Sequence, residues 1–329
     1  MLILTQSDVR AVLALREAIP IVATAVVENA AGRADVPPRT YLRVPPVDAG
    51  CLFMPGYLPA LGSLGQKIIV EFPRNGERGL PAVSGLFILL DEQTGLAVAV
   101  MDAGYLTVLR TAAVVGLAFQ QLAPSAPRTA ALLGTGSQAR GQIQALAEVL
   151  PTLCELRVWG RRRAAAKALV DEAAGLGVWL PIRVVDSAEA AVRGADVVVA
   201  ATAARDPVVD DAWVSPGALV CALGSYTPEA HEVDSATVGR AAKVVADSRA
   251  SVLASSGELL IPIAAGLLAA ERVVELGAVV AGEQPGRESD AELIFFKSAG
   301  FAALDLAVGK AVAERAAAAG LGVEVDLLR

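Results

Sequence analysis

Two textures of apolar and polar positions divide the chain. Residues 7–30 repeat apolar positions at helical spacing, with Ser7 as the expected cap and Val9, Val12, Leu13 and Ile19 on one side. Punctuation follows at Gly32, Pro37, Pro38, Pro45, Pro46, Gly50, Pro55 and Gly56. Strand-like stretches lie between the marks, at 40–44, 51–54, 67–72 and 84–91. The turn Glu92-Gln93-Thr94-Gly95 folds 87–90 back onto 96–101 as a hairpin, so this part predicts an antiparallel meander. Near Thr107 the pattern changes. A helix at 111–122 leads to strands at 128–134, 156–159, 182–185, 196–200, 218–223 and 243–247, with helices at 162–174 and 188–192 and a closing helix at 299–319. These strands are unbroken apolar runs, as expected where helices cover both faces of a parallel sheet.

Composition narrows the classes. A length of 329 residues suits two domains, and 54% hydrophobic against 19% charged residues supports a large core. The net charge of -7 disfavours nucleic acid or a membrane surface as partner, since both call for a basic field. Cys51, Cys154 and Cys221 have no CxxC spacing and read as small buried hydrophobes in a reducing compartment. The start lacks a signal-type segment, and the most apolar run, 259–270, is short and broken by Pro262 and Gly266, so a cytoplasmic protein is expected. No His/Cys/carboxylate cluster has metal spacing. The single histidine, His231, sits in a loop-to-helix transition and reads as a surface or capping residue. Trp159, Trp179 and Trp213 read as packing, and Ser255-Ser256 before Gly257-Glu258 reads as a helix start.

The strongest motif is Gly134-Thr135-Gly136-Ser137-Gln138-Ala139, a G-x-G-x-x-A that follows an apolar strand and opens a helix. Gly134 permits the tight turn, Gly136 the approach of a pyrophosphate, and Ala139 close helix–strand packing. The helix N-terminus offers free N–H donors to phosphate. A dinucleotide cofactor is therefore expected. At the end of the next strand, where an NAD site usually places a carboxylate, stands Trp159-Gly160-Arg161-Arg162-Arg163. Arg161 and Arg162 could clamp a 2′-phosphate, with at least one of the three arginines a solvated first turn of helix. NADP(H) is expected ahead of NAD(H).

With these stretches in hand, Cys51-Leu52-Phe53-Met54-Pro55, Leu64-Gly65-Gln66-Lys67, Leu109-Arg110-Thr111-Ala112-Ala113, the glycine motif, Gly194-Ala195-Asp196 and Phe296-Lys297-Ser298-Ala299-Gly300, the chain resembles the ornithine cyclodeaminase/μ-crystallin family along nearly its whole length. The resemblance implies an α/β protein, with a Rossmann domain at 118–299 inserted in a discontinuous α+β substrate and dimerisation domain at 1–117 and 300–329, and a homodimer. It places Arg43, Lys67 and Arg110 at the α-carboxylate of a small 2-imino or 2-amino acid, and Thr111, Thr202, Leu223 and Ser298 beside the cofactor.

Planar arginine forks can fix a carboxylate so that C2 faces a hydride donor. Lys67 could give a proton to nitrogen, with nearby arginines lowering its proton affinity. Cyclodeaminases carry an aspartate where Ser225 stands here, and a serine hydroxyl is no base at neutral pH. The expectation is an NAD(P)H-dependent reductase of small 2-imino acids such as Δ1-pyrroline-2-carboxylate or Δ1-piperideine-2-carboxylate. The alternatives are an ornithine or lysine cyclodeaminase with bound NAD and a non-catalytic NADPH-binding protein of the crystallin kind.

Overall fold

A computed structural model describes residues 1–175 and 178–327, in two units, Met1–Arg110 with Phe301–Arg329, and Thr111–Gly300. The first cut falls inside a helix, seven residues ahead of the boundary expected at 117/118, because one continuous apolar helix serves both stretches. That helix, α3 below, is also the one described helix long and apolar enough to cross a membrane; 72% of its most apolar window is buried within the protein, as in a core helix.

The first unit opens with β1 (Leu2–Leu4), α1 (Gln6–Val12) and α2 (Leu15–Ala30). The single helix expected at 7–30 is thus two. Thr5, not Ser7, caps α1 in a reciprocal box with Asp8, and the backbone becomes extended at Leu13 and Ala14. Strands β2 (Thr40–Val44), β3 (Ala49–Leu58), β4 (Ser63–Glu71), β5 (Val83–Leu90) and β6 (Ala97–Asp102) then form the antiparallel meander, and α3 (Ala103–Leu122) follows. β3 runs straight through Pro55 and Gly56, which look like breakers in sequence. Pro55 lies beyond the last rung to β2, Thr40 opposite Phe53, so its missing N–H deprives no ladder there.

In the second unit, β7 (Thr129–Leu133), α4 (Ser137–Val149), β8 (Glu155–Trp159), α5 (Arg163–Gly175), β9 (Ile182–Val184), α6 (Ala188–Val192) and β10 (Val197–Ala200) alternate as expected. β11 (Leu219–Ala222), α7 (Ser235–Arg240), β12 (Lys243–Ala246), α8 (Arg249–Ser255), α9 (Gly257–Ala264), β13 (Val273–Glu275), α10 (Leu276–Val280) and β14 (Ile294–Lys297) complete it. The eight strands are all parallel, in the order β13-β12-β14-β11-β10-β7-β8-β9. Strand order reverses between β7 and β10, the switch point at which doubly wound sheets bind ligands beyond their carboxyl ends.

The chain then returns to the first unit as α11 (Ala302–Ala318) and β15 (Val323–Glu324). Its sheet has the order β15-β1-β6-β5-β4-β3-β2, with β1 added parallel to β6, a pairing the meander pattern does not announce. α11 packs on one face of β3, β4 and β5. Small residues bring it close: a Cβ on Gly309 would meet the Phe87 ring at 2.3 Å, and one on Gly56 would meet Leu306 at 3.1 Å and Ala302 at 3.3 Å.

Candidate functional site

In the first unit, the sheet face under α11 carries Lys67. The residue sits mid-strand in β4, opposite Met54 on one side and Phe87 on the other, and is 1% exposed. Its ammonium donates to Asp305 Oδ1 of α11 at 2.8 Å. The same oxygen lies 3.1 Å from Arg110 Nε, an ion pair without hydrogen-bond alignment. Asp305 is fully buried and its Oδ2 has no partner. Burial pushes the Lys67 ammonium down from 10.5 to about 8; the charges of Arg110 and Arg39 push the same way and Asp305 pulls back. Lys67 and Arg110 are thus brought together as the sequence reading anticipated.

Arg43 is not brought to them. It is exposed and pairs with Gly50, two rungs past Leu52 and four residues from the level of Met54 and Lys67, about 13 Å along the strand. Arg39, one residue before the rung Thr40–Phe53, stands at that level and acts on the Lys67 charge. The difference between the two arginines is one of register: both have the same side-chain parity, and sequence alone does not say which rung faces the lysine. Asp305 escaped the sequence reading because an aspartate in a first helical turn ordinarily reads as a dipole partner.

In the second unit, the glycine motif occupies the turn from β7 to α4. Gly134 has φ 118°, and a Cβ there would meet the Ala201 carbonyl oxygen, beyond β10, at 2.2 Å. A Cβ on Gly224, beyond β11, would meet the Thr202 oxygen at 1.8 Å. The loops after β7, β10 and β11 are therefore in backbone contact across the switch point. Gly136, by contrast, faces open space, and no side chain caps the N-terminus of α4, so its first N–H groups remain available to a phosphate. Thr135 packs over Gly160 at the end of β8. Ala139 is buried, and the side-chain amide oxygen Oε1 of Gln138 is buried without a hydrogen-bond partner. These features fit a dinucleotide. Arg161, Arg162 and Arg163 are all exposed at the start of α5; Arg163 is engaged by Asp186.

A buried charged network supports the same end of the sheet. One oxygen of Glu232 accepts from the Thr202 N–H and hydroxyl, and the other from the N–H groups of Leu223, Gly224 and Ser225. Lys297, at the end of β14, lies 3.1 Å from Glu258 and donates to the Ser225 carbonyl at 2.7 Å. Burial pushes Glu232 above the usual carboxylate range although Lys297 opposes it. Burial also works against ionised Glu258, but the Lys297 charge and donors from Ser225, Glu232 and Ser256 outweigh it and hold that carboxyl low. The Ser225 hydroxyl is taken up by Glu258. Ser298 donates to Asp247 at 2.7 Å, and Thr111 is buried. The pairing of Glu232, Glu258 and Lys297 was not anticipated because it spans three separate segments; in sequence Glu258 read as a helix start and Lys297 as part of a stretch that resembles the family.

Three smaller expectations change. Cys154 is exposed while Cys51 and Cys221 are buried. Trp179 is 93% exposed, whereas Trp159 and Trp213 lie against the core. His231 does not cap α7; Asp234 does. Among the described residues no group of three His, Cys, Asp or Glu could hold a metal ion.

The sequence model of the ornithine cyclodeaminase/mu-crystallin family matches residues 1–320. The chain belongs to this family. A Δ1-pyrroline-2-carboxylate reductase of Bacillus cereus is 33% identical over 99% of this chain and 100% of its own length. Among solved structures, the Δ1-pyrroline-2-carboxylate reductase of Thermococcus litoralis in complex with NADH and L-proline superposes with a TM-score of 0.94 at 35% identity, over 99% of this chain and 100% of that one. An archaeal alanine dehydrogenase dimer with bound NAD gives 0.91 at 35% identity, over 100% and 99%. This family member thus shares its whole length with imino- and amino-acid oxidoreductases.

Proposed function

We propose that this protein reduces small 2-imino acids, cyclic ketimines such as Δ1-pyrroline-2-carboxylate or Δ1-piperideine-2-carboxylate, to the L-amino acid at the expense of NAD(P)H. The observation that carries this is a buried lysine poised near 8 among arginines, in a chain that also holds a dinucleotide turn. Reduced nicotinamide, when bound, supplies a hydride to C2 of the imine. Arg110 and Arg39 hold the α-carboxylate by charge-assisted hydrogen bonds and so orient C2. Lys67 keeps the imine nitrogen protonated, or protonates it as C2 is reduced; a donor near 8 is matched to neutral pH. The second unit's N–H groups at α4 take the pyrophosphate, and Thr202, Leu223 and Ser298, just beyond the ends of β10, β11 and β14, stand beside the cofactor, with Thr111 as a fourth contact. Arg161 and Arg162, with no carboxylate beside Trp159, favour NADP(H) over NAD(H).

The protein acts as a homodimer. In the first unit, the sheet face away from α11 presents Phe53, Ile68, Leu86, Ile88 and Val100 on neighbouring strands, with Leu86 49% exposed. An apolar face of that kind calls for a partner, and a second copy supplies one by two-fold symmetry.

The deciding experiment follows NADPH and NADH oxidation by purified protein with a panel of cyclic 2-imino acids. Oxidation with at least one is expected, faster with NADPH. Ammonia release from ornithine or lysine without net oxidation would replace the proposal by cyclodeamination, and cofactor binding without either reaction would replace it by a binding protein.

A further inference from the structure

Asp305 takes part in nothing so far proposed, yet it is the centre of the charged cluster in the first unit. Its Oδ1 is shared by Lys67 and Arg110, which approach it from β4 and α3. Its Oδ2 is buried and has no hydrogen-bond partner. The sheet-facing side of α11 that carries it, with Ala302, Leu306 and Gly309, is held at short range by the glycine contacts with β3 and β5. Such an arrangement is a poor stabiliser: a buried ion cluster rarely beats apolar packing of equal volume. What it does supply is geometry. Two cations drawn to one oxygen atom on a rigid helix keep a fixed separation, which the repulsion between them would otherwise enlarge.

We propose that Asp305 is the positioning residue of the reaction, holding the proton donor Lys67 and the carboxylate clamp Arg110 at one spacing from a single carboxylate oxygen. This rests on the reading of Lys67 as donor. Asp305 acts through charge as well as place. The charged groups that act on the Lys67 ammonium are Asp305 of α11, Arg110 of α3 and Arg39 ahead of β2, while its strand neighbours Met54 and Phe87 are apolar. With Asp305 neutralised, burial and two like charges remain, and the ammonium gives up its proton at lower pH.

The test is the pH profile of kcat/KM with an imino acid in Asp305→Asn and Asp305→Glu, beside Lys67→Met and wild type, with NADPH binding by fluorescence in each. In Asp305→Asn the alkaline limb is expected to move down by about one pH unit or more, and kcat at pH 7.5 to fall about 100-fold. Cofactor affinity stays within about twofold, since that site's residues are untouched. Asp305→Glu keeps the charge and displaces it, so its limb stays near wild type while kcat falls about 10-fold. A purely structural aspartate would lower the yield of folded enzyme and leave the limb of the remainder in place. A wild-type limb and rate in Asp305→Asn overturns the proposal; should that variant not fold, wild-type kcat in Asp305→Glu overturns it. Survival of turnover in Lys67→Met would reject the donor assignment instead, whereas a dead Lys67→Met beside an unshifted Asp305→Asn rejects the role of Asp305 alone.

Discussion

A buried ammonium with its proton affinity lowered to about 8 titrates inside the range of an ordinary assay, so the role of Lys67 has a direct kinetic signature. On the proposed role the protonated form is the donor, and kcat/KM is expected to fall as pH rises through about 8, measured with saturating NADPH. Stability should run the opposite way. An unfolded lysine keeps its proton up to about 10.5, so between 8 and 10.5 unfolding takes up a proton and the folded state gains stability as pH rises. Lys67→Met is expected to flatten that slope in urea titrations at pH 8 and pH 10. Arg161 makes a second residue-scale case. Arg161→Ala should weaken NADPH binding about tenfold or more and NADH binding little, as loss of one phosphate contact would; equal losses would show that the side chain is no 2′-phosphate ligand. Lys67 and Arg110 were legible because the residues around them repeat a family pattern. Arg39 was not, because choosing it over Arg43 needs the strand register.

At the scale of elements, the turn from β7 to α4 separates two kinds of glycine. Gly134 is held at φ 118° against the Ala201 backbone, so Gly134→Ala combines a strained conformation with a clash that backbone movement alone can relieve. It should destabilise the second unit, seen as a lower Tm without cofactor. Gly136 has open space where a Cβ would go. Gly136→Ala should leave the cofactor-free Tm near wild type and raise the KM for NADPH about tenfold, because the methyl occupies the path of the pyrophosphate. The motif announced the turn and the part each glycine plays in it; that Gly134 packs against the loop after β10 is a contact no local spacing reveals. The helix break at Leu13 and Ala14 was unreadable for a related reason. The apolar spacing continues through it, and the interruption is sealed by the Ala14 N–H donating to Glu17, a contact made once the backbone has already turned.

For the whole molecule, the meander's outer face carries the prediction. Leu86→Glu places charge on that face without touching the core side of β5, where Phe87 and Leu89 point. The variant should elute as a monomer in size exclusion with its far-ultraviolet spectrum intact, whereas wild type is expected to elute as a dimer; a wild-type monomer would remove the homodimer from the proposal. The alternation that exposes this face was present in the sequence, but two-sided apolar strands do not say which side a helix covers.

Local pattern determined the two textures, the parallel sheet of the second unit and the dinucleotide turn, since each depends on spacing along one segment, while the candidacy of Lys67 and Arg110 came from the family resemblance. Tertiary structure decided everything that depends on which segments meet. The insertion of β14 between β11 and β12, the pinning of the Thr202 and Ser225 loops by Glu232, and the approach of Asp305 to a lysine 238 residues away are long-range contacts. Their residues look ordinary in sequence, because a buried carboxylate is marked out by its partner and not by its neighbours in the chain.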